Sequence, residues 1–183
     1  WPSSGEMYVL LLIHFLISFS KTTKRDIMES RGNLDYRNKT GGKGGGVESF
    51  SSTLHWGPNW NYNGWYLTHG EYQLTNGKTF ADDYHTFGLY WSENRLYTYV
   101  DDPNNVVLSV DMRNQTFWQR ANSAGLGWDS QNLFNPWQYE STPEQTAQMS
   151  RAAPFNHQYY LILNLAVGGQ NGYFQDIEGK PWK

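Results

Sequence analysis

The sequence predicts an all-β domain, an antiparallel β-sandwich of jelly-roll type. Three observations predict it. Short runs rich in Val, Ile, Thr and aromatic residues recur along most of the chain. Clusters of Gly, Asn, Asp and Pro punctuate them at roughly regular spacing. Only one stretch carries the signals of a helix. Many short strands with almost no helix make a sandwich, and a jelly roll offers a concave sheet face that can hold an extended ligand. The 183 residues suffice for one domain with a real core, so a single domain over 1–183 is expected.

The elements follow in order. Trp1-Pro2-Ser3-Ser4-Gly5-Glu6 reads as a loop. Met7 to Ser20 is the most apolar stretch, with Lys21, Lys24 and Arg25 after it. It is shorter than the roughly 18–20 apolar residues of a membrane span, and it carries His14. It shows neither clean alternation nor a helical stripe, and its composition does not match the rest, which points to inserted material. Asp26-Ile27-Met28-Glu29-Ser30-Arg31-Gly32-Asn33 sets two acids three residues apart. Faces alternate along a strand, so Asp26 and Glu29 share one only if a residue bulges out of the ladder. On spacing alone, a strand end with two solvated acids is favoured over a groove. Tyr36 to Gly46 is a flexible connection; Lys43 is followed by Gly44, not Ser or Thr, so it is no phosphate loop.

Strands are expected over Val47–Trp56, Trp65–Leu74, Tyr84–Trp91, Arg95–Asp101 and Val106–Val110. Asn76-Gly77 is a tight-turn signal. Asn122 to Pro136 reads as irregular. Thr142-Pro143-Glu144-Gln145 opens a short helix ending near Arg151. Tyr159 to Val167 is nearly continuous in apolar residues and suits a central strand covered on both faces.

Composition narrows the function. Charged residues are 17% and the net charge is −3, so there is no basic surplus for phosphates and nucleic acid is not an expected partner. There is no cysteine, hence no disulfide and no thiolate metal site. The five His show no metal-ligand spacing and no Ser-His-Asp arrangement, so neither a metal nor a cofactor is expected. Two glycosylation triplets, at Asn38 and Asn114, matter only in a secreted chain. The chain opens at Trp1 without a signal peptide's order of residues, which suggests a trimmed precursor or a fragment.

Several blocks together resemble glycoside hydrolase family 16, laminarinase-like or β-1,3-glucan-binding-protein-like. Asp26 to Asn33 resembles the second half of that family's active-site strand, which reads Glu, any residue, Asp, two residues, Glu. Trp1 to Glu6 resembles the part that precedes it. Downstream, Thr53–Pro58, Tyr84–Trp91, Asn135–Trp137, Ala153–Phe155 and Leu161–Gly169 match in order. The resemblance covers everything except Tyr8 to Arg25. It implies a concanavalin-like sandwich, incomplete at the N-terminus, with residues 8–25 inserted into the active-site strand. Without a gap the family's first Glu falls on Lys24, an amine that cannot be the nucleophile; with the gap it falls on Glu6. The gap requires Tyr8 to Arg25 to loop out.

The resemblance implies a retaining two-carboxylate endo-β-1,3-glucanase with Glu6 as nucleophile, Glu29 as acid/base and Asp26 between them, its action impaired by the insertion. Crowded carboxyls should raise at least one pKa, and the acid is the group that needs it. Flat rings and hydrogen-bonding groups bind sugars, so Trp56, Trp60, Trp65, Trp91, Trp137 and Trp182 are candidates, with Trp56 and Trp137 foremost and His55, His85 and Asn164 beside them. A sheet role serves His85 equally well, and most Trp in a β-sandwich are simply core. The alternative is a non-catalytic β-1,3-glucan recognition protein, a relative that keeps the fold; a membrane anchor through Met7 to Ser20 is a third reading. The expected partner is a β-glucan polysaccharide, with no membrane and a monomeric state. The family resemblance implies an extracellular location.

Overall fold

Two antiparallel sheets face each other across an aromatic core. The structure is a computed structural model that describes residues 11–16 (backbone only), 23–33, 36, 45–138 and 151–165. The first sheet holds β1 (Leu11–Leu16), β2 (Lys24–Glu29), β3 (Ser49–His55), β4 (His69–Gln73) and β8 (Tyr160–Leu165), in the order β4-β3-β2-β1-β8. The second holds β5 (Phe87–Trp91), β6 (Arg95–Val100) and β7 (Val106–Asp111), in the order β5-β6-β7. The antiparallel sandwich expected from the sequence is the architecture found.

Alternation decides which residues enter the core. In β6, Leu96, Thr98 and Val100 are buried while Arg95, Tyr97 and Tyr99 turn outward. In β7, Leu108 and Val110 do the same. They meet Leu54 and Trp56 of the first sheet together with Phe117, Trp118, Trp128 and Phe155. A smaller cluster joins Met28, Phe50 and Val100, with Phe50 edge-on to Phe80 and Phe87. Asn76 and Gly77 both adopt positive φ, 61° and 73°, as a tight turn of this sequence requires.

Several expectations are corrected. Trp65 to Leu67 is a 3-10 turn ahead of β4, not the start of the strand. Phe117–Ser123 is a helix, α1, where none was expected; Thr116 caps it, accepting from Gln119 N while the Gln119 side chain accepts from Thr116 N. The helix expected from Thr142 lies outside the described residues except for its end, where Arg151 is helical. β8 is the last strand of its sheet among the described residues, and Leu161, Leu163 and Leu165 are exposed, so it is not a strand covered on both faces. Tyr8 to Arg25 does not simply loop out: residues 11–16 form β1, paired with β2 on one side and β8 on the other, and Lys24 and Arg25 begin β2. Among the described residues no helix is long and apolar enough to cross a membrane.

Candidate active site

The bulge foreseen between Asp26 and Glu29 is present. Asp26 pairs with Thr53 and Glu29 with Ser51, so three steps along β2 oppose two along β3. The ladder to β1 shifts at the same place. Arg25 and Met28 face the inter-sheet core, while Lys24, Asp26 and Glu29 gather on the other face.

A compact polar cluster results. Lys24 Nζ lies 3.1 Å from Asp26 Oδ2 and 3.6 Å from Glu29 Oε1. His55 Nε2 lies 3.1 Å from the same Asp26 oxygen. The Asp26 carboxyl is fully buried, so a lysine and a histidine directed at it offset much of its desolvation. Asn63 sets the histidine: its Nδ2 lies 3.0 Å from His55 Nδ1, and its Oδ1 accepts from the backbone N–H groups of Trp56 and Trp65. With Nδ1 accepting from the amide, the ring proton sits on Nε2, toward Asp26.

Glu29 is the group whose protonation the fold alters. Burial pushes its carboxyl up from 4.5 to about 7, and the nearby Asp26 adds to the rise, while Lys24 and His55 pull it down. Asp26, Glu29 and His55 offer ligand atoms within 4.8 Å of one another, a donor set that could hold a divalent cation. The Lys24 ammonium already lies among these groups and supplies positive charge there.

The rows across the sheet extend the polar face. Thr53, opposite Asp26, is opposite His69 of β4 on its other side, with Thr53 Oγ1 2.8 Å from His69 Nδ1. Ser51, opposite Glu29, is opposite Glu71, whose carboxylate lies 3.3 Å from His69 Nε2. Trp65 borders this face: its ring centroid is 6.5 Å from that of His55 and 5.4 Å from that of His69.

The other expected residues scatter. Glu6 and Trp182 lie outside the described residues. Trp56 is fully buried between the sheets, its Nε1 donating to Thr68 Oγ1, and Trp137 is buried edge-on to Trp118. Neither offers a free ring face, so both are core and not sugar platforms. His85 pairs with Asp101 at 2.8 Å and packs on Phe80, away from the carboxyl cluster. Asn164 is exposed on β8; the register aligns Ile162 with Asp26 through His14, which puts Asn164 on the same sheet face but two strands away. Sequence reasoning missed Asn63, Thr53 and His69 and gave Lys24 no part. Alternation held a signal: His55 and Thr53 share one face of β3, which sends Trp56 and Leu54 to the other.

No protein-family model matches the chain. A β-1,3-glucan-binding protein of Penaeus monodon is 40% identical over 183 residues, the whole of this chain and 38% of that protein. A glucan endo-1,3-β-glucosidase A1 of Niallia circulans is 31% identical over 169 residues, 92% of this chain and 16% of that protein. The chain thus spans well under half the length of these relatives. A solved Bacteroides ovatus mixed linkage glucan protein of glycoside hydrolase family 16, in complex with a product, superposes with a TM-score of 0.42 at 21% identity, covering 60% of this chain and 44% of that one. Likeness over the whole chain to a glucan-binding protein, and over most of it to an endo-1,3-β-glucosidase, bears out the resemblance to laminarinase-like proteins of glycoside hydrolase family 16 read from the motifs.

Proposed function

We propose that this chain engages β-1,3-glucan on the polar face of its five-stranded sheet and, in this form, holds the polysaccharide without cleaving it. The observation that carries the reading is the position of Lys24. A retaining glycosidase needs two carboxyls about 5–5.5 Å apart, one attacking the sugar and one protonating the leaving oxygen. Two residues before Asp26, on the same strand face, stands an ammonium group that ion-pairs with both acids. It has no lone pair to offer while it is protonated, and it occupies one oxygen of the Asp26 carboxyl. Sugar hydroxyls can still hydrogen-bond to Glu29, His55 and the Thr53–His69 pair. The test is affinity electrophoresis in laminarin alongside an assay of reducing-sugar release. Retardation without release is expected; release at an ordinary glucanase rate would overturn the binding-only reading.

A second reading, hydrolysis, is favoured by Glu29. A carboxyl raised to about 7 is still protonated near neutrality and suits a general acid. In that reading Glu6 is the nucleophile, and Asp26 lies between the two and keeps them in opposite protonation states. Glu29→Gln would then abolish whatever reducing-sugar release the chain has.

Residues 8–25, within a single domain over 1–183, are in our reading an insertion of intron origin. Met7-Tyr8-Val9 can be written only as ATG TAY GTN, which always contains GTAYGT, the form of an intron donor. An AGR codon for Arg25 supplies an acceptor AG. Joining across them leaves one Ile or Met codon in frame, with Glu6 two residues before Asp26, where Lys24 now stands. Transcript sequencing tests this: mature message that carries the codons for Tyr8 to Lys24 refutes it. An extracellular, monomeric, glucan-contacting protein completes the proposal, with culture-medium fractionation and sedimentation as its checks.

A further inference from the structure

We propose that Asn114 carries an N-linked glycan, added before helix α1 forms. The proposal rests on the extracellular reading, since only a chain in the secretory route meets the lipid-linked sugars that such a residue takes. Asn114-Gln115-Thr116 is an acceptor triplet: the asparagine amide takes the sugar, and the hydroxyl two residues on is required. The other triplet, at Asn38, lies outside the described residues.

The fold presents the amide. Asn114 stands exposed in the bend between β7 and α1, and its side chain makes no hydrogen bond among the described residues. Other asparagines are in use: Asn122 Nδ2 donates to Asp129, and Asn63 Nδ2 meets His55. The bend leaves β7 of the three-stranded sheet, so a glycan here does not grow from the strands that carry the carboxyl cluster.

The same fold withdraws the rest of the triplet. Thr116 Oγ1 accepts from Gln119 N at 3.0 Å, and Gln119 Oε1 accepts from the Thr116 N–H at 2.8 Å, so the hydroxyl and the amide of the third residue are both engaged in capping. Met112 and Phe117, on either side of the triplet, are buried in the core. Asp111 Oδ1 holds the N–H of Arg113 at 2.8 Å. A transferase that takes the triplet as an extended segment would have to open the capping box and pull on the core. The sugar therefore goes onto the chain before it folds. In that step Asn114 Nδ2 bonds to C1 of the first sugar and gives up one proton. The bond from C1 to the lipid pyrophosphate breaks, and the pyrophosphate leaves with the electron pair.

The experiment expresses the chain with Asn38→Gln behind a secretion leader in eukaryotic cells. Peptide N-glycosidase then removes N-glycans and leaves Asp where a modified Asn stood. Loss of the mass of one core glycan is expected, with residue 114 read as Asp by peptide mass spectrometry. Thr116→Ser keeps the hydroxyl and should be modified. Thr116→Asp keeps a capping oxygen, and so the fold, but loses the acceptor triplet and should emerge unmodified. For the order of events, the folded bacterial chain and the same chain diluted from urea are each given to solubilised transferase with lipid-linked oligosaccharide. Only the diluted chain is expected to be modified. A secreted chain with Asn114 unmodified overturns the site, and a folded chain modified as fully as the diluted one overturns the order. A chain retained in the cells with Asn114 modified supports the site and overturns only the extracellular reading.

Discussion

At the residue scale the decisive side chain is Lys24. The sequence said only that an amine cannot attack a sugar. The structure adds what the amine does: it neutralises a pair of acids that would otherwise repel each other. Lys24 lowers the Glu29 carboxyl against burial and Asp26, which raise it. Removing the charge with Lys24→Met should therefore move Glu29 above about 7, seen by carbon NMR titration of its side-chain carboxyl. A Glu29 titration left in place by the substitution would mean that the amine does not act on it. The cluster was legible where chemistry is local. Asp26, Glu29 and His55 were all read from sequence and do meet. Trp56 was not, because an aromatic residue beside a functional histidine looks the same on either face until the strand is drawn. Once His55 is directed at Asp26, the neighbouring Trp56 must enter the core, where it is 0% exposed.

At the element scale, β2 works on both faces. Its bulge was legible from the three-residue spacing of its acids, since no regular ladder puts them together. Its core face was not legible, because Arg25 is charged and charged side chains are seldom fully buried. Arg25 is 1% exposed, its guanidinium 3.8 Å from the centre of the Trp91 ring and 3.7 Å from that of Tyr159, and it donates to the carbonyl of Phe155 at 2.7 Å. Burial lowers its pKa to about 10, still a cation at neutrality. Arg25→Ala opens a void and leaves that carbonyl without its donor, a loss of about 3 kcal/mol expected in urea unfolding. Arg25→Met refills the space and should cost less than half as much. Equal midpoints for the two variants would show that the packing is unimportant. Helix α1 shows the opposite case: its capping box was written plainly as Thr116 and Gln119, but the helix is only seven residues long, too short for a helical stripe to stand out. The run from Tyr159 was misjudged because periodicity cannot tell a covered strand from a terminal one.

At the scale of the whole molecule, the sandwich couples the acid cluster to stability. Folded Glu29 holds its proton more tightly than the unfolded chain does. Below pH 4.5 both states are protonated and the contribution is fully present; from there to about 7 the unfolded chain releases a proton that the folded one keeps. Stability should therefore fall as pH rises through that window, by on the order of 3 kcal/mol, and then level off. Glu29→Gln should flatten this part of the curve; an unchanged slope in denaturant titrations would assign it elsewhere. The fold class was legible because turn residues and alternation are spread along the whole chain, whereas β1 was not, because its apolar run carries no period. Finally, the contact of Trp65 with two imidazoles makes the protein its own optical reporter. Indole emission reports the surroundings of the ring, and Trp65 lies beside both His55 and His69. A ligand or substitution that shifts either imidazole should therefore change the part of the emission that Trp65→Phe removes, a difference readable without any label.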